Sequence, residues 1–178
     1  MFELTTIIAI ILALAILGIV AIAASRPDTF KVQRTVSIKA RPEQIYPLIA
    51  SLRAMNTWNP FVAPDPTIKV DYTGPESGKG AAHTWAGNSK VGEGRFEIID
   101  AAPPSKVTMM LDMVKPMAAH NTVEFTLQPA GDATTVTWAM SGRQPLMAKV
   151  MTLFIDCDKM VGSQFDKGLA GLKAIAER

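Results

Sequence analysis

The sequence holds one cysteine, Cys157, and two histidines, His83 and His120. A lone thiol excludes an internal disulfide framework, and one Cys with two His falls short of the four ligands of a structural zinc site. Asp156 and Asp158 flank Cys157, a setting that disfavours a reactive thiolate. No block of Lys or Arg concentrates the formal net charge of +2, so a nucleic-acid partner is not expected. Gly92-Glu-Gly94 lacks the third glycine and following helix of a dinucleotide site. Gly87-Asn-Ser-Lys-Val91 lacks the closing glycine of a nucleophile elbow, and no Walker sequence occurs. Neither a metal nor a cofactor is expected. Internal repeats and low-complexity tracts are missing too, and three Trp with regular apolar patterning argue against disorder.

Charge is also missing from Leu4 to Ala24, an Ile-, Leu- and Ala-rich run behind Met1-Phe-Glu3. A helix of that length reaches about 30 Å, the thickness of a hydrocarbon core, and a buried globular helix is seldom apolar all round. The run predicts a single membrane-spanning helix. Ala21-Ile22-Ala23 would suit cleavage of a signal peptide, but a basic leader is wanting and the run is longer than an ordinary signal core. Arg26, Lys31 and Arg34 come after the helix while only Glu3 and the terminal amine precede it, which favours a cytoplasmic position for the C-terminal remainder of the chain. The division expected is an anchor and linker over 1–27 and a domain over 28–178.

Within that domain Phe30, Val32, Val36 and Ile38 alternate with Lys31, Gln33, Thr35 and Ser37, the period of a half-buried strand, with Arg34 the exception on the apolar face. Pro42 opens a short helix carrying Ile45, Leu48 and Ile49, and a second turn over Leu52–Trp58 ends in the loop Trp58-Asn-Pro-Phe61. Alternating runs then occur at 68–72, 81–85, 92–98, 107–113, around 123–127 and around 136–140, divided by Gly74-Pro75, Gly87-Asn88, Pro103-Pro104, Lys115-Pro116 and Gly131-Asp132. Connections so short cannot hold crossover helices, so the sheet is expected to be an antiparallel meander. From Pro145 the period changes: Met147, Val150, Met151, Phe154, Val161, Phe165, Leu169 and Leu172 predict one amphipathic helix of roughly thirty residues, with Gly162 as a possible kink. The architecture expected is α+β: a seven-stranded curved antiparallel sheet wrapped around a long C-terminal helix, with two short helices after the first strand.

This order of elements resembles the helix-grip fold of the SRPBCC superfamily, which takes in START lipid-transfer domains, birch-pollen-allergen-like proteins and polyketide cyclases. The closer resemblance is to bacterial proteins of polyketide-cyclase type with an N-terminal apolar helix. It is carried by Val36-Ser-Ile-Lys-Ala-Arg-Pro-Glu43, Trp58-Asn-Pro-Phe61, Tyr72-Thr-Gly-Pro-Glu-Ser-Gly-Lys-Gly80, Trp85-Ala-Gly-Asn-Ser-Lys-Val-Gly-Glu-Gly-Arg95, Val136-Thr-Trp-Ala-Met-Ser-Gly142 and Phe165-Asp-Lys-Gly-Leu169. The superfamily shares a cavity rather than a catalytic motif.

The resemblance implies a cavity between helix and sheet. Its expected lining is Trp58, Phe61, Tyr72, His83, Trp85, Phe96, Met109, Leu111, Met113, Phe125, Trp138, Met140, Met147, Met151, Phe154 and Asp158. Ten Met against seven Phe suit a pocket that adapts to differently shaped apolar ligands, although the same side chains could fill a solid core. His83 shares strand parity with Trp85, inward, whereas His120 shares it with Thr122 and Glu124, outward. His83 is the candidate for proton transfer, the alternative being a hydrogen-bonded core histidine. Asp158 falls on the apolar line of the last helix and is the second acid/base candidate, unless a kink turns it to water. Three functions are open: a membrane-anchored domain binding a hydrophobic small molecule or lipid, a metal-independent cyclase or dehydratase, and a protein-interaction module with a solid interior. Oligomeric state is not legible.

Overall fold

A computed structural model describes residues 2–62 and 67–178. Helix α1 (Phe2–Ala24) carries no charge after Glu3 in its first turn and, from Glu3 onward, is exposed except at Ile19 and Ala23 near its end. After a short linker come β1 (Thr29–Ile38), α2 (Pro42–Ala50) and α3 (Leu52–Met55). Pro42 takes the first turn of α2, where its missing N–H costs nothing, and the Gln44 side chain accepts from the Arg41 amide at 3.1 Å. The Ser51 hydroxyl accepts from the Ala54 amide at 3.4 Å to begin α3.

The remaining strands are β2 (Lys69–Thr73), β3 (Ala82–Ala86), β4 (Glu93–Ala102), β5 (Lys106–Lys115), β6 (Ala119–Ala130) and β7 (Ala133–Arg143). They form one seven-stranded antiparallel sheet in the order β1-β7-β6-β5-β4-β3-β2. The meander from β2 to β7 is set by the short polar turns. β1 closes it beside β7 because α2 and α3 carry the chain from one edge of the sheet to the other.

The expected thirty-residue helix is two helices. α4 (Leu146–Met151) and α5 (Cys157–Ala176) are separated by a turn, and the break comes before Gly162, the residue expected to bend it. Asp156 is the reason. Its side chain accepts from the Lys159 amide at 2.9 Å and starts α5 afresh as an N-cap.

α5 lies on the concave face of the sheet and runs along β1. Phe165 stacks on Trp138 at 4.2 Å, and the Lys173 ammonium donates to the Ser37 carbonyl at 2.6 Å. Near its N-terminal end the Arg34 guanidinium reaches Asp158 at 2.9 Å and Asp166 at 3.5 Å. Asp158, Gly162 and Asp166 recur every four residues and so share one helix face. A Cβ on Gly162 would collide with the guanidinium, so the glycine is where the arginine passes under the helix. Thus Arg34, the sequence exception, is an inward side chain with two acidic partners. Gly162→Ala should lower the melting temperature of the natural chain. In an Arg34→Ala background it should raise it, because alanine is the better helix former by about 1 kcal/mol and nothing remains to collide with. Thermal unfolding of the four variants measures the reversal.

Candidate functional site

Paired residues of an antiparallel ladder share a face, and the register lays out the concave surface in rows. One row runs Arg34, Trp138, Phe125, Val107 across β1, β7, β6 and β5. This row lies under α5. Trp138 and Phe125 are 4.9 Å apart, Trp58 stands edge-on to both at 5.7 and 6.0 Å, and Phe61 meets Trp138 edge-on at 6.3 Å. Here helix and sheet mesh through aromatic rings, with Gly168 letting α5 settle against Trp138 and Pro60. The space expected directly beneath the helix is filled.

Two rows nearer the start of β1 run past the N-terminal end of α5. The first is Phe30, Gly142, Asn121, Leu111, Phe96, His83 and Tyr72; the second is Ala119, Met113, Gly94, Trp85 and Val70. Phe30, Leu111, Met113, Met140, Trp85 and Tyr72 on this part of the sheet are half-buried. They make up a half-covered apolar surface, the trough. Gly94 has no room for a Cβ because the Trp85 ring lies across it. The Trp85 indole N–H donates to the Val91 carbonyl at 3.3 Å and fixes that ring.

Two polar side chains sit in the trough. His83 is 5% exposed and enclosed by Tyr72 at 5.6 Å, Trp85 at 5.9 Å and Phe96 at 6.0 Å. Its buried Nδ1 has no hydrogen-bond partner among the described residues. Burial pushes its pKa down to about 4, because the imidazolium would lose its hydration, so the ring is neutral at pH 7. Asn121, also buried, stands against Gly142, its side-chain oxygen lying where a Cβ on that glycine would fall. At the rim, the Tyr72 hydroxyl accepts from the Asn56 amide at 2.8 Å, and the Arg53 guanidinium lies 4.0 Å above the Tyr72 ring.

The expected lining residues separate into three groups. Trp58, Met109, Phe125 and Trp138 are buried in the core, and Phe61 packs edge-on to its aromatics while remaining partly exposed. Tyr72, His83, Trp85, Phe96, Leu111, Met113 and Met140 belong to the trough or its floor. Met147, Met151, Phe154 and Asp158 are corrections: Phe154 is 74% exposed and Met147 69%. The turn before Asp156 takes them out of the helical stripe on which the expectation rested. Asp158 is no inward base either. Arg34 holds its carboxyl below the usual range, mainly through their hydrogen bond, and it faces solvent. His120 is on the outer face, as expected from parity, with its Nδ1 2.6 Å from the Asp112 carboxylate.

Sequence reasoning missed Asn121 and Phe30 as trough residues. Both carried a usable signal, since each lies on the apolar parity of its strand. A separate open hollow of about 720 Å³ lies at the junction of linker and helices, lined by Arg26, Thr29, Gln144, Phe154 and Asp156 among others. A second, of about 400 Å³, lies between the start of α2 and the β6–β7 turn.

Residues 29–177 match a family model described as polyketide cyclase / dehydrase and lipid transport. No curated protein matches the sequence. Among solved structures, protein CV1439 from Chromobacterium violaceum superposes with a TM-score of 0.59 at 14% identity, over 86% of this chain and 99% of that one. Ginseng major latex-like protein 151 from Panax ginseng gives 0.61 at 13% identity, over 85% and 100%. The Aha1 protein from Colwellia psychrerythraea, solved as a dimer, gives 0.58 at 18% identity, over 83% and 96%. Identities this low establish the shared helix-grip fold and nothing about chemistry.

Proposed function

The chain belongs to the polyketide cyclase/dehydrase and lipid transport family, and from that premise we propose that it is a membrane-tethered domain that holds an apolar small molecule or a lipid in the trough beyond the end of α5. The observation that carries this reading is chemical. An apolar, half-covered surface contains a buried polar group, the His83 Nδ1, that the described residues leave unpaired. A buried polar group without a partner is costly, and a ligand with one polar function on an apolar body would satisfy it. α1 would cross the bilayer and hold the trough beside a store of such molecules. The basic residues after it, Arg26 and Lys31, favour placing the domain on the cytoplasmic side.

Native mass spectrometry of the full chain, extracted in a non-lipid detergent, tests the reading. A retained apolar mass is expected, and Leu111→Trp, which puts a larger ring into the trough, should abolish retention while leaving the melting temperature within a few degrees. No retained mass, together with no displacement of a dansyl fatty acid, would remove it.

His83 supports a second reading, a metal-independent cyclase or dehydratase. A neutral, buried imidazole can take a proton from a bound substrate. On that reading His83→Gln abolishes turnover and Asp158→Asn leaves it unchanged, because Asp158 lies outside the trough and is engaged by Arg34.

A further inference from the structure

Beyond α1, most of the large apolar side chains that remain exposed fall in one stretch: Leu146, Met147, Met151, Phe154, Ile155 and Met160. They belong to α4, the turn after it and the first turn of α5. A concentration of this kind is uncommon on the surface of a soluble domain and marks a contact surface.

The linker shows what lies against it. α1 ends at Ala24 and β1 begins at Thr29, so only Ser25–Asp28 separates them. The linker is also bonded to α4. The Lys149 ammonium, its side chain almost wholly buried, donates to the Arg26 carbonyl at 2.8 Å and to the Asp28 carboxylate at 2.6 Å. The Arg26 guanidinium donates to the Thr152 carbonyl at 3.1 Å, and the last turn of α1 packs on α4, with Ala23 fully covered. Four residues of extended chain span at most about 14 Å, and these bonds hold α4 closer than that limit. The apolar stretch is therefore fixed next to the point where α1 would leave the bilayer. The β5–β6 turn, with exposed Val114 and Met117, lies at the same end of the sheet, since Met113 pairs with Ala119 beyond the row that includes Phe30.

We propose that α4 and the turn after it, Leu146–Ile155, lie in the bilayer interface as an apolar apron, with Met147, Met151 and Phe154 sunk among the acyl chains and Lys149 held above them by the linker. The occupant of this surface is the membrane that α1 crosses. The inference rests on the reading of α1 as a span, and it differs from that reading in placing the folded domain itself against lipid. Interfacial segments bind through the apolar area they bury, and α4 with the turn after it exposes such area while its one charged side chain, Lys149, is turned into the linker.

The test is site-directed spin labelling of the full chain in vesicles of phosphatidylethanolamine and phosphatidylglycerol, in a Cys157→Ser background. Labels are placed singly through Met147→Cys, Phe154→Cys, Leu12→Cys in α1 and Asp132→Cys in the β6–β7 turn at the opposite end of the sheet. The expected result is a ratio of oxygen to nickel-complex accessibility several-fold higher at Met147 and Phe154 than at Asp132. Nickel accessibility at both positions equal to that at Asp132, with the Leu12 label still rich in oxygen, overturns the apron and leaves the span standing. Nickel access at Leu12 as well overturns both. Labels shielded from both reagents mean that a protein, or a second copy of this chain, covers the stretch, and this also overturns the proposal.

Discussion

Trp138→Ala should destabilise the domain by about 3–5 kcal/mol, the range for removing a buried aromatic side chain from a core. Trp138 is 3% exposed and stacked on Phe165 at 4.2 Å, with Phe125, Trp58 and Phe61 around it. No nearby side chain is placed to fill the gap. Trp58 is held by its indole N–H, which donates to the Leu48 carbonyl at 3.0 Å, and Gly168 opposite brings no side chain to move in. At roughly 2–4 °C per kcal/mol for a domain of this size, the melting temperature should fall by about 10 °C. Thermal unfolding of the detergent-extracted chain, followed by circular dichroism, measures it. Trp138→Phe keeps most of the stacking and should recover most of the loss. A shift of only one or two degrees for the alanine variant would mean that α5 does not rest on this ring.

The second large effect is on pH. His83 ionises near pH 6.5 in an unfolded chain and near pH 4 in the folded one, because burial among Tyr72, Trp85 and Phe96 penalises the cation. Between those values the unfolded state binds the extra proton. Stability is complete above about pH 6.5, falls as the pH drops through the interval, and has lost the whole contribution below about pH 4. A difference of this size corresponds to about 3 kcal/mol. His83→Phe replaces the ring with one that cannot charge, so its denaturant midpoint should change much less between pH 7 and pH 4.5 than that of the natural chain. Parallel slopes for the two proteins would show that His83 is hydrated in the folded state. A ligand that donates to Nδ1 would add to the stability of the neutral form, so the retained mass of the native chain should be lost over the same interval.

Most of the fold was legible because it rests on local rules. The alternation in β1 and β4–β7, the turn pairs such as Gly131-Asp132, and Pro42 at a helix start each act within a few residues. What could not be read was set by distant partners. Arg34 breaks the apolar parity of β1 because Asp158 and Asp166, far along the chain, come to rest beside it and Gly162 leaves it room. The division of α4 from α5 did have a local signal. Asp156 is an N-cap type three residues before Lys159, but the apolar spacing from Phe154 to Val161 masked it. That error carried Met147, Met151, Phe154 and Asp158 into the expected lining. His83, Asn121 and Leu111 stand in one cross-strand row, and a row is visible only once the register is known.

The clamp between the linker and α4 has a bearing on transport. Lys149 and Arg26 leave the segment after α1 little freedom to swing, so the grip domain keeps one orientation to the helix that precedes it. On the proposed reading, such a protein cannot ferry cargo across an aqueous gap. It would work as a fixed dock, loading from or unloading to a single leaflet, and any traffic between membranes would depend on a soluble carrier that visits it.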